Sequence, residues 1–125
     1  MIKPSPPLHL IRRLARTPPT DQCTTAITLG ELLYGVTRRG SPELAARVRD
    51  LIASAGLILP FDEAAAERYG PLRASLERDG RALAEPDLRV AAITLSREAT
   101  LVTGNVRHFA RVPHLHVENW LTDEA

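Results

Sequence analysis

Apolar positions recur along the chain in short blocks, separated by Pro, Gly and charged residues. Leu8, Ile11 and Leu14 lie at helical spacing, and Pro18-Pro19 stops the helix they predict. Cys23-Thr24-Thr25-Ala26-Ile27 reads as a short buried strand that passes into a helix through Thr28. On that helix Leu29, Leu32, Leu33 and Val36 form an i, i+3, i+4, i+7 stripe, and Gly40 ends it. Ser41 then caps a further helix with Pro42 at its first position, and Leu44, Val48, Leu51, Ile52 and Ala55 mark its buried face.

The second half continues the alternation. Leu57-Ile58-Leu59-Pro60-Phe61 reads as a strand, and Asp62 caps a long helix with Ala65, Tyr69, Leu72 and Leu76 on one face. The region of Gly80 breaks it. The helix beginning near Pro86 is apolar nearly all round from Leu88 to Leu95, which places it inside the fold. Thr100-Leu101-Val102-Thr103 and Leu115-His116-Val117 read as the last two strands. The predicted order is helix, strand, helix, helix, strand, helix, helix, strand, strand. Short apolar strands alternating with amphipathic helices predict a layered α/β domain on a mainly parallel sheet flanked by helices. Ligands of such sheets bind beyond the carboxyl ends of the strands.

Length and composition narrow this further. A chain of 125 residues holds one domain, 1–125, and a composition of 44% hydrophobic and 25% charged residues excludes a disordered or low-complexity polypeptide. Cys23 is alone, which excludes an intramolecular disulfide and a cysteine-based zinc site and predicts a reducing, cytoplasmic setting. No apolar run approaches the roughly 20 residues of a membrane span, and the first residues lack a signal-peptide core, so no membrane association is expected. The net charge of +1 supplies no overall field toward nucleic acid. A phosphate contact therefore needs a local group. Arg107 with His108 is the better candidate, while Arg12, Arg13 and Arg16 read as a solvated face.

The topology brings three positions to one sheet edge. Glu31 follows the first strand and points off the apolar stripe of its helix, toward solvent or a cleft. Asp87 opens the most apolar helix, as a cap or as a functional carboxylate, and Glu85 either shares that site or caps the helix. Thr103-Gly104-Asn105-Val106-Arg107-His108-Phe109 leaves the carboxyl end of the strand at Leu101-Val102. Carboxylates gathered there repel unless a cation neutralises them, and hard oxygen ligands suit Mg²⁺ or Mn²⁺. His114 and His116 alternate on the last strand but have no third ligand, and read as surface residues. No phosphate-binding glycine loop, dinucleotide fingerprint or Ser-His-Asp order is present.

Three stretches resemble one family: Thr25-Ala26-Ile27-Thr28-Leu29-Gly30-Glu31-Leu32-Leu33-Tyr34-Gly35, Asp87-Leu88-Arg89-Val90-Ala91-Ala92, and Leu101 to Phe109. They are similar to the PIN-domain ribonucleases, most of all the VapC and FitB-like toxins of type II toxin–antitoxin pairs. The closing Val117-Glu118-Asn119-Trp120-Leu121 is similar to the family's last strand and tail. The resemblance implies a three-layer domain with an acidic pocket for one or two Mg²⁺ or Mn²⁺ ions, hydrolysis of RNA by metal-activated water, a small antitoxin partner and a homodimer. It implies that Glu31, Asp87 and Asn105 are catalytic metal ligands, with Thr103 supporting the site. Arg107 would hold the RNA backbone.

The family pattern opens with an apolar strand ending in an Asp-Thr-Asn-like turn. Here Met1-Ile2-Lys3-Pro4-Ser5-Pro6-Pro7 matches what normally follows that strand, so the first strand and its Asp are expected to be missing from this sequence. Two readings follow. Either the protein begins upstream and is a Mg²⁺-dependent ribonuclease, or it is a decayed, non-catalytic copy that still binds an antitoxin or a dimer partner.

Overall fold

The computed structural model describes residues 23–55 and 57–119. The helix expected around Leu8, Ile11 and Leu14 and the tail from Trp120 lie outside them. Strand β1 (Cys23–Thr25) leads into helices α1 (Ala26–Arg39) and α2 (Pro42–Ala55). Strand β2 (Leu57–Leu59), helices α3 (Glu63–Arg78) and α4 (Glu85–Ser96), strand β3 (Thr100–Val102), helix α5 (Val106–Phe109) and strand β4 (His116–Glu118) complete the described order. None of these helices is long and apolar enough to cross a membrane.

The boundaries have local causes. β1 stops at Thr25, two residues earlier than the apolar run suggests, because Thr25 Oγ1 accepts the Thr28 N–H at 3.0 Å and makes Thr25 the helix cap. Ala26 and Ile27 thereby enter α1. Gly40 ends α1 in the left-handed region (φ 66°), with its N–H donated to the Val36 and Thr37 carbonyls. Ser41 Oγ accepts the Leu44 N–H at 3.2 Å, and Asp62 Oδ1 accepts the Ala65 N–H at 3.0 Å, so both predicted caps are formed. β2 ends before Pro60, which has no N–H to give a ladder. β4 runs one residue later than predicted, and the Thr103 N–H, donated to the Glu118 carbonyl at 3.0 Å, extends its pairing with β3.

Among the described residues all pairing is parallel, and it falls into two ribbons. β1 pairs with β2, Cys23 opposite Leu57 and Thr25 opposite Leu59. β3 pairs with β4, Thr100 opposite His116 and Val102 opposite Glu118. Among the described residues no strand joins the two ribbons.

Helix α4 is what they share. Its Ile93 packs with Leu59 of β2, Ala65 of α3 and Ile27 of α1. Its Leu88 and Ala91 pack with Leu72, Leu76, Phe109 and Val112, and Leu95, Leu101 and Val117 close against that group. A helix in contact with two ribbons and a second helix has no polar face to spare, which explains its apolar sequence. On α3 the predicted face holds: Ala65, Leu72 and Leu76 are buried and Tyr69 is half-buried. On α1 only Val36 is buried, Leu29 and Leu33 are half-buried, and Leu32 is exposed. Leu44 and Val48 of α2 are half-buried, while the side chains of Leu51, Ile52 and Ala55 lie outside the described set.

Candidate functional site

The three-residue turn 97–99 sends β3 back along α4, so the amino end of α4 meets the carboxyl end of β3. Asp87 stands in the first turn of α4, where the unsatisfied N–H groups and the helix dipole favour an anion. It does not cap the helix. The cap position is Ala84, which makes no side-chain hydrogen bond. Glu85 is not the cap either. It lies inside the helix and accepts from the Tyr69 hydroxyl and from Arg89 Nε.

The partner of Asp87 is His108, whose Nε2 lies 2.9 Å from Asp87 Oδ2. This contact is set by packing one residue further on. Leu88 and Phe109 belong to the same buried cluster, so Asp87 and His108, their chain neighbours, meet at its rim. Both remain partly accessible, the side chains being 39% and 24% exposed. The turn between β3 and α5 is shaped by Thr103, whose Oγ1 accepts the Asn105 N–H at 3.1 Å. Asn105 is the residue before α5, and its exposed side chain makes no capping bond.

Of the residues singled out in the sequence, the structure brings Asp87 against His108, three residues past Asn105. Glu31 lies exposed on the second turn of α1, with no hydrogen bond or ion pair among the described residues. Arg107 is exposed on α5. His116 is exposed, and His114 occupies a left-handed turn (φ 67°). His108, paired in sequence reasoning with Arg107 as a phosphate contact, proves to be the group against Asp87. Its position just before the core residue Phe109 is the signal that marks it.

Mg²⁺ takes hard oxygen ligands in near-octahedral geometry. Among the described residues no group of three or more His, Cys, Asp and Glu side chains is placed to hold a metal ion. Asp87 shares one oxygen with His108, Asn105 and Thr103 are neutral, and Glu31 is exposed on its own helix. These residues by themselves do not fit a Mg²⁺ centre.

A second polar group lies between α3 and α4. Arg73 donates from Nε to Glu77 at 2.9 Å and from Nη1 to the Tyr69 hydroxyl at 3.0 Å. The Tyr69 hydroxyl is the main cause of a lowered Glu85 pKa, and the Glu77 contact is the main cause of a raised Arg73 pKa. Arg73, Glu77, Glu85 and Leu88 line a cavity of about 70 Å³, room for a few waters and far from a substrate's volume.

The PIN-domain family model matches this chain over residues 5–115, most of its length. The chain belongs to the PIN-domain family. This PIN domain is 38% identical over 98 residues to the tRNA(fMet)-specific endonuclease VapC of Shigella flexneri, a match covering 78% of this chain and 74% of that one. It is 36% identical over 96 residues to ribonuclease VapC2 of Rickettsia felis, covering 77% and 72% respectively. Among solved structures it is similar to DNA-bound VapBC from Salmonella typhimurium, with a TM-score of 0.85 and 34% identity over 91% of this chain and 86% of that one. FitAB bound to a DNA fragment gives 0.82 at 26% identity, over 98% and 90%. The three motifs therefore mark a PIN domain of the VapC and FitB-like kind, with helices flanking short parallel strands.

Proposed function

We propose that this PIN domain is the ribonuclease toxin of a type II toxin–antitoxin pair, acting in the cytoplasm as a homodimer and restrained by a small cognate antitoxin. The observation that carries this reading is its likeness, along most of the chain, to VapC ribonucleases and to toxins solved in VapBC and FitAB assemblies. RNA hydrolysis with Mg²⁺, or Mn²⁺ in its place, is the activity proposed. Asp87, Glu31 and Asn105 are the residues assigned to it. Thr103 holds the turn that presents Asn105, and Arg107, exposed and next in the chain to His108, is assigned the RNA phosphate.

The test is incubation of the purified chain with transfer RNA and total RNA at millimolar Mg²⁺. The ribonuclease reading expects cleavage, slow because the described residues assemble no three-ligand group, and its loss in Asp87→Asn and Glu31→Gln proteins that melt like the parent. Undiminished cleavage by both variants would remove the site assignment.

A second reading is favoured by one observation: no three-ligand group forms among the described residues. On that reading the protein binds an antitoxin or dimer partner without cutting RNA. It expects no metal-dependent cleavage even at high Mg²⁺, with antitoxin binding retained in a pull-down against the cognate antitoxin.

A further inference from the structure

Asp87 is the best-placed carboxylate of the proposed site, and one of its oxygens is already engaged. His108 Nε2 lies 2.9 Å from Asp87 Oδ2. The pair is pinned from both sides. Leu88, next to Asp87, and Phe109, next to His108, are 3% and 5% exposed and pack in one cluster with Ala91 and Val112. The imidazole edge stacks T-shaped on the Phe109 ring at 5.5 Å, which further limits where His108 can go.

An N–H aimed at a carboxylate oxygen occupies one of the carboxylate's roughly four lone-pair sites and leaves fewer for a hard cation. An imidazole nitrogen is also a poorer ligand for Mg²⁺ than an oxygen would be in the same place. The other groups of the turn, the Thr103 hydroxyl and the Asn105 amide, carry no charge to compensate. A divalent ion arriving at Asp87 must therefore displace the imidazole or bind one oxygen beside it.

We propose that His108 sets the cation affinity of this site: its imidazole occupies the Asp87 carboxylate in place of a divalent ion, and the chain binds Mg²⁺ and Mn²⁺ weakly as a result. The inference rests on the reading that Asp87 is the cation-facing carboxylate of the proposed function. It makes His108 a positioning residue whose replacement strengthens binding.

The experiment is a Mn²⁺ titration of the full chain without RNA, followed by the paramagnetic resonance signal of free Mn²⁺ and by calorimetry. His108→Glu, which adds a carboxylate opposite Asp87, is expected to tighten binding by about tenfold or more, since affinity for hard cations rises with the charge of the ligand set. His108→Ala tightens it by less. His108→Gln, whose amide N–H keeps the donor, stays within about twofold of the parent. Adding Asp87→Asn to the His108→Glu protein should abolish the gain.

Two results overturn the inference: a His108→Glu protein that binds Mn²⁺ no better than the parent, or a His108→Ala protein that binds it worse, which would make the imidazole a ligand. Thermal melting identifies folded variants. Should His108→Glu not fold, the His108→Ala comparison decides alone. Because no RNA is cut in the titration, a gain in Mn²⁺ binding without any nuclease activity would spare this inference and remove the proposed activity.

Discussion

Thr25 carries the junction between strand and helix on one hydroxyl. Buried at 7% exposure, it accepts the Thr28 N–H and shares a second hydrogen bond of 3.0 Å with the Thr28 hydroxyl. Thr25→Ala should cost about 1 kcal/mol, read as a lower denaturant midpoint at unchanged slope, with Thr25→Ser recovering most of it. Phe109 works at longer range, since it anchors both the core and the placement of His108. Phe109→Leu is expected to destabilise by about 1–3 kcal/mol and to broaden the His108 imidazole resonances as the ring loses its support. Glu85 bears on pH. Its pKa lies below the ordinary carboxylate value, chiefly through the Tyr69 hydroxyl, with Arg89 and Arg73 adding and a cost of burial opposing. The stability it contributes is thus present above the ordinary carboxylate pKa of about 4 and is lost as the pH falls through the lower folded value. Glu85→Gln should therefore lower the melting temperature slightly at pH 7 and leave it unchanged in strong acid. A variant equally affected at both would show that the hydrogen bonds, not the charge, matter.

At the level of elements, the sequence is most readable where a single residue type has a single physical role. The caps at Ser41 and Asp62 and the left-handed stop at Gly40 follow from hydroxyl or carboxylate acceptors and from the absence of a Cβ, and all three are formed. Gly40→Ala tests the last of these. An added Cβ would meet nothing within 4 Å, so the cost is backbone strain alone, about 1–2 kcal/mol in chemical denaturation. Helix α4 was legible as an internal helix because its apolar residues run round the whole surface. Short elements were less so. Helix α5, at four residues, is too short to show a stripe, and it forms because Phe109 and Val112 must reach the core. The strand ends were shifted by a residue or two because cap and proline chemistry, not apolar content, decides them.

For the whole molecule, the layered fold of helices on short parallel strands was legible, and the contact between Asp87 and His108 was not. The predicted elements put Asp87 in the first turn of α4 and the Thr103–Asn105 turn directly after β3. The pairing of Asp87 with His108 spans 21 positions and follows from Leu88 and Phe109 entering one buried cluster, which no local pattern encodes. The division into two ribbons also has a measurable consequence. The tightest packing lies between α3 and α4, and each described strand is three residues long. Amide exchange should be slowest in α4 and its partner face on α3, and faster by orders of magnitude in β1 and β3. Equal protection throughout would mean that the ribbons open only with the entire fold.

Leu57 is 58% exposed, Ile58 39% and Val102 40%, all on strands whose described pairing is one-sided. Among the described residues each parallel ladder stops after two strands, and an open ladder edge can recruit an extended apolar segment that comes close. For this chain, crowding rather than heat becomes the hazard. Light scattering should rise with protein concentration well below the melting temperature, and charge placed at Ile58 or Val102 should hold the molecules apart.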